Sequence, residues 1–158
     1  MKIWIFVLLV LPVLISGCLN TQSSRVDARA SPNNPDAGKL TLQGVIFYTD
    51  PSIALGAAKE EGKPVFVYAR SETCGWCKKF EEETFTNESV IKTLNENFIL
   101  VSIDVYKQKN ETRNFRVRGT PAEIFLNSNG TEIKRIPGYT DTETFLNTIN
   151  EIAKYKEA

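Results

Sequence analysis

Histidine is absent from all 158 residues. That absence removes Ser–His and Cys–His nucleophilic machinery, and with it the commonest neutral metal ligand. A charge surplus is missing too: lysine plus arginine number 19, and so do aspartate plus glutamate. Without a basic excess, nothing points to nucleic acid as a partner. Long apolar runs are scarce. The one near the start, Ile3 to Ile15, falls short of the ~20 residues a membrane-spanning helix needs. Cysteine is also scarce, and a count of three leaves one thiol to explain. No internal repeat is visible.

What is present at the N-terminus accounts for the odd cysteine. Lys2 precedes the apolar run, which closes on Ser16-Gly17-Cys18, as a cleavable export signal does. Leu14-Ile15-Ser16-Gly17-Cys18 resembles the lipobox of prokaryotic lipoproteins, with Ile15 where leucine is commonest. The resemblance implies a signal peptide over 1–17, cleavage before Cys18, and a lipid on its sulfur that enters the bilayer. The mature chain would then be exported and anchored to the outer face of the cell membrane, an oxidising compartment. An ordinary signal peptide or an uncleaved anchor is the alternative. Residues 18–39 form the lipidated N-terminus and a polar stretch rich in Ser, Asn and Pro, which reads as a flexible linker. Its reach is roughly 25 Å. The folded domain is expected over 40–158, a usual single-domain length.

Within that domain, Val45–Tyr48 reads as a strand, and Asp50-Pro51 as the cap and first residue of a helix ending at Gly62. Val65–Ala69 is a buried strand running into the cysteines, with a helix from about Gly75 to Glu83. Asn87 caps another helical stretch, and Phe98–Asp104 is a near-continuous apolar strand of the kind covered on both faces. Gln108–Phe115 suits a short helix. Ala122–Leu126 and Glu132–Ile136 form a hairpin about Asn129-Gly130, and Asp141–Lys154 is an amphipathic helix. Strands alternating with helices and then a hairpin imply an α/β fold, a mixed central sheet with helices on both faces.

The chemistry centres on SETCGWCKKF, residues 71–80. A Cys-x-x-Cys beside a βαβ pattern reads as a redox motif. The helix starting there has unpaired N–H groups and the positive end of its dipole in its first turn, which would stabilise a Cys74 thiolate. Spacing i, i+3 brings Cys77 to the same face, so Cys74 is expected as nucleophile and Cys77 as resolving thiol. Further along, Gly119-Thr120-Pro121 leads into AEIFL, and a proline entering a strand calls for an unusual backbone such as a cis Thr120–Pro121 bond.

From about Lys63 to the last helix the chain resembles the thioredoxin superfamily, above all its exported members. The matching features are GKPVFV, CGWCKKF, the following ETF, Gly119-Thr120-Pro121, and Ile136-Pro137-Gly138. The resemblance implies a thioredoxin fold and thiol–disulfide exchange through a redox-active Cys74–Cys77 disulfide. It implies protein disulfide substrates docking against Thr120 beside the cis Pro121, and a membrane partner relaying electrons. No dissociable cofactor and no metal are called for. Two departures stand out: Tyr68 occupies the position of the family's buried acid, and Leu100 that of its lysine.

Around the motif, Trp76 is a candidate substrate contact or a rim residue, and Tyr139 a neighbour of the site or a packing residue. Glu72 reads as an exposed loop carboxylate, with proton handling at the cysteines through a water as the alternative, and Lys78 and Lys79 as solvated. With no histidine between the cysteines, the thiolate loses one stabilising partner, which favours a reductase over a strong oxidant. The alternatives are a Cu(I)-binding or delivery module using the two thiols, and a non-catalytic binding domain.

Overall fold

The structure, a computed structural model, describes residues 38–154. The expected signal peptide, Cys18 and nearly all of the linker lie outside the described residues. Two short strands open the domain: β1 (Lys39–Leu42) and β2 (Val45–Tyr48). They form a hairpin closed by Gln43 and Gly44 with φ of 48° and 84°. Two successive positive φ values are what a two-residue hairpin turn requires, and Gly44 adopts one of them without steric cost. Strand β1 was not expected, and the sheet begins at Lys39, one residue inside the expected linker.

The remaining elements follow the expected order, with ends shifted by a residue or two. They are α1 (Pro51–Glu61), β3 (Val65–Arg70), α2 (Gly75–Thr84), α3 (Glu88–Asn97), β4 (Ile99–Asp104), α4 (Lys109–Asn114), β5 (Ala122–Leu126), β6 (Glu132–Pro137) and α5 (Thr142–Ile152). The caps are chemical: side chains of Asp50, Asn87 and Asp141 accept from the N–H groups of Ser52, Ser89 and Thr144. Each thereby satisfies a donor with no partner in its helix's first turn. Among the described residues no helix is long and apolar enough to cross a membrane.

Among the described residues six strands lie in the order β1-β2-β4-β3-β5-β6, mixed in direction. Strands β2, β4 and β3 run parallel, while β1, β5 and β6 pair antiparallel with their neighbours. Strands β3 and β4 are therefore interior, which is why each is almost wholly buried along its length. Alternation assigns Val65, Val67, Val101 and Ile124 to an aliphatic core that also takes in Ala54 and Ala58 of α1. The other face is aromatic. Phe66, Tyr68 and Phe125 meet Phe80 and Phe85 from the α2 region and Phe145 of α5, with ring centroids 5.2–6.4 Å apart. Such ring pairs add about 0.5–1.5 kcal/mol each beyond the area they bury. The aromatic core fixes α2 against the central strand, and α2 begins at the cysteines.

Candidate active site

Interior strand β3 delivers the chain to the end of the sheet where the parallel strands finish, and helix α2 starts one turn later with Cys74 as its cap. The structure joins Cys74 and Cys77 in a disulfide. The Cys77 N–H donates to the Cys74 Sγ at 3.1 Å. No acidic residue stands in the first turn of α2, so nothing there neutralises the positive end of its dipole. A thiolate at Cys74 would receive both the hydrogen bond and the field. Cys74 is half-buried, whereas Cys77 is fully buried. An incoming disulfide reaches the first sulfur and not the second.

The Thr120–Pro121 peptide bond is cis. Thr120, Pro121, Gly138, Tyr139 and Trp76 line one shallow cavity beside the disulfide, so the two separated motifs meet in space. Trp76 is 58% exposed, an unusual state for an indole, and its ring lies 5.3 Å from that of Tyr139. Lys79 is not simply solvated: its Nζ sits 5.4 Å from the Trp76 centroid and 4.9 Å from that of Tyr139. A cation over two ring faces holds both rings in place. The Tyr139 hydroxyl donates to a Glu83 carboxylate oxygen, and that bond raises its pKa above the usual phenol value. Glu72 turns away to an ion pair with Lys107, both side chains 65% exposed, as a loop carboxylate does.

Beneath the disulfide the core is polar in an unexpected way. Tyr68 stands directly opposite Ser102 of β4 on one side and Glu123 of β5 on the other, so the three share one face of the sheet. The Tyr68 hydroxyl lies 3.2 Å from both the Cys77 carbonyl oxygen and the Glu81 Oε1, and its single proton serves one of them at a time. Burial, reinforced by the Glu81 charge, holds that phenol far above its usual pKa, so it acts only as a donor. Arg70 closes the group: its Nε donates to Glu81 Oε1 at 2.6 Å, with side chains only 10% and 9% exposed.

Glu123 is the residue that sequence reasoning missed. It is wholly buried, and neither carboxylate oxygen has a hydrogen-bond partner among the described residues. Burial pushes its pKa from 4.5 up to about 8. It is therefore mostly protonated at neutral pH. The family's buried acid is absent at 68, yet an acid does sit on the adjacent strand, opposite that position. The signal was a lone charge inside AEIFL, an otherwise apolar strand. Among the described residues no three acidic or thiol side chains gather as a metal-binding group, so any metal on the cysteine pair would rest on those two sulfurs.

Residues 52–153 match a family described as a thioredoxin-like domain. Over 102 residues, 61% of this chain, the sequence is 33% identical to the thiol:disulfide interchange protein DsbD of Yersinia pestis, covering 17% of that protein. Over 51 residues, 32% of this chain, it is 49% identical to spermatogenesis-associated protein 20 of Mus musculus, covering 6% of it. The chain thus spans a small part of either relative. A thioredoxin from Thermus thermophilus superposes with a TM-score of 0.62 at 27% identity, over 71% of this chain and 89% of that one.

Proposed function

The chain belongs to the thioredoxin-like domain family, and from that premise we propose that it is a thiol–disulfide oxidoreductase working as a reductase of exported proteins. The observation that carries this reading is the half-buried Cys74 at the start of α2, bonded to Cys77, with Trp76 between them lining the Thr120–Pro121 groove. In the reduced protein the Cys74 thiolate attacks one sulfur of a substrate disulfide. A Cys74–substrate disulfide forms, and one substrate thiolate leaves. The Cys77 thiolate then attacks the Cys74 Sγ, forming the internal disulfide and releasing the second substrate thiolate. Two electrons pass to the substrate, whose thiolates take up protons lost by the two cysteines. A dithiol carried by a membrane partner returns the electrons. The substrate main chain lies along Thr120 and Pro121, with Trp76 and Tyr139 as the apolar wall.

Residues 1–17 act as a signal peptide and Cys18 carries the lipid. Residues 18–39 span the gap to the domain on the outer face of the membrane. Support for this arrangement is the Leu14–Cys18 motif and the polar composition that follows.

Replacing Cys77 with serine tests the reading, because it removes the second attack and strands the first product. Non-reducing electrophoresis of C77S exposed to exported disulfide proteins should show Cys74-linked adducts that vanish on adding dithiothreitol and are missing in the C74S/C77S double variant. No adducts, together with no reduction of a test disulfide by the unaltered chain, would rule the function out. Metal analysis of anaerobically purified protein tests the Cu(I) alternative directly.

A further inference from the structure

The groove beside the disulfide continues past Gly138. A second cavity, of about 420 Å³, shares Thr120 and Gly138 with the one that faces Trp76. Its lining carries three arginines, Arg116, Arg118 and Arg135, and one carboxylate, Glu132. Arg135 is committed already: it donates to the two Glu132 oxygens at 2.9 and 2.7 Å and to the Phe115 carbonyl at 2.8 Å. Arg116 and Arg118 are exposed, and among the described residues neither has a carboxylate within ion-pair distance. The cavity therefore sets three guanidiniums against one carboxylate, Glu132, which is bonded to Arg135 and also feels the Arg116 charge, so positive charge is in excess.

Exposed arginines are commonly no more than solvated, so placement has to distinguish these two. Arg116 follows the cap residue of α4, Phe115, and lies in the left-handed region with φ 51°, while the Val117 N–H donates back to the Thr112 carbonyl. Glycine is the usual occupant of that position, and a β-carbon there costs about 1–2 kcal/mol. Strained residues of this kind gather at ligand sites. Arg118 lies two residues before Thr120 and lines both this cavity and a third one next to Thr120. Both charges thus border the loop that would carry the substrate backbone.

We propose that this cavity binds an acidic stretch of the substrate protein, so that the chain prefers disulfides with an aspartate or glutamate a few residues from the attacked cysteine. The inference rests on the oxidoreductase reading above. A guanidinium fork matches a carboxylate in a planar, two-bond geometry that no lysine reproduces. Thr120 and both arginines line the same cavity, so an extended segment that passes Thr120, advancing ~3.3 Å per residue, continues beside them.

The test uses the reduced full-length chain and three two-cysteine peptides, each closed by a disulfide and flanked by paired glutamates, serines or lysines. The expected kcat/KM order is Glu, then Ser, then Lys, with the Glu peptide favoured about tenfold over Ser at low ionic strength. Added salt should shrink that ratio. In Arg116→Asn/Arg118→Ser the ratio should fall to about one, and Arg118→Lys alone should keep part of it. Asparagine tolerates the left-handed backbone, and turnover of the Ser peptide shows that each variant is folded. Equal rates on the three peptides, or a preference that survives the double substitution, would overturn the proposal while leaving the enzyme reading intact. No turnover of any of the three peptides by the unaltered chain would overturn both.

Discussion

Glu123 shows how much a single side chain can alter the behaviour of this site. Its folded pKa, about 8, lies above the 4.5 of a free glutamate. The unfolded chain therefore releases this proton at a lower pH than the native chain does. Stability should fall as pH rises from about 4.5 to 8 and level off beyond, by on the order of 5 kcal/mol at most. The groups facing it are Tyr68 across the strand pair and, through Tyr68, the Glu81–Arg70 pair. In Glu123→Gln that fall should be largely abolished. Urea unfolding of the oxidised protein at pH 5 and pH 8.5 measures it, since disulfide-bonded cysteines do not titrate and cannot contribute. An equal loss of stability in both proteins would show that Glu123 is not the group responsible. The anomaly was half visible in the sequence. A glutamate within AEIFL conflicts with a buried strand, but the register that sets it against Tyr68 becomes known only when the strands are paired.

At the scale of elements, the junction of β3 and α2 depends on a charge pair taken out of water. Cys77, Phe80, Glu81 and Thr84 are the buried residues of α2, at helical spacing. That periodicity could be read from the sequence and put Glu81, of three successive glutamates, on the inner face. Its partner could not be read, because Arg70 sits at the exit of a strand whose other residues are apolar. Arg70→Leu should cost about 3–5 kcal/mol, because it leaves the Glu81 carboxylate buried without its cation. The Arg70→Leu/Glu81→Leu double variant should cost clearly less, the mark of a desolvated pair. Denaturant unfolding of the two variants checks the difference. Helix boundaries were legible wherever a cap was chemical, as at Asp50, Asn87 and Asp141. Strand β1 was not, because Leu40 and Leu42 are the only apolar residues in its four and its Gln43-Gly44 turn lacks the asparagine or aspartate that usually signals a hairpin.

The whole molecule is a sheet with an aliphatic side and an aromatic side, and the division carries functional weight. The alternation of β3, β4 and β5 made two covered faces predictable, hence the α/β class. Strand order was another matter. That β4 lies between β2 and β3 follows from crossover connections, which periodicity does not encode. The meeting of Thr120–Pro121 with Trp76 of the cysteine motif depends on that order, since β5 must flank β3 for the two loops to adjoin. The family resemblance supplied what single-chain physics lacked. The arginine-lined cavity lay outside both, because Arg116, Arg118 and Arg135 come from a helix end, a loop and an edge strand.

The exposed indole at position 76 has an optical consequence. The sequence holds two tryptophans, Trp4 and Trp76, and a chain cleaved before Cys18 keeps only the second. Disulfides quench nearby indoles by accepting an electron from the excited ring, and Trp76 adjoins Cys77 in the chain. Emission from the processed protein should brighten when the pair is reduced and dim again on oxidation. Following it against glutathione buffers of set composition would give the potential of the pair without a label, and Trp76→Phe should abolish the signal. An unchanged spectrum across that series would mean that indole and disulfide are electronically uncoupled. If they are coupled, the exposed ring between the two cysteines also reports, photon by photon, how many of these molecules hold the pair reduced.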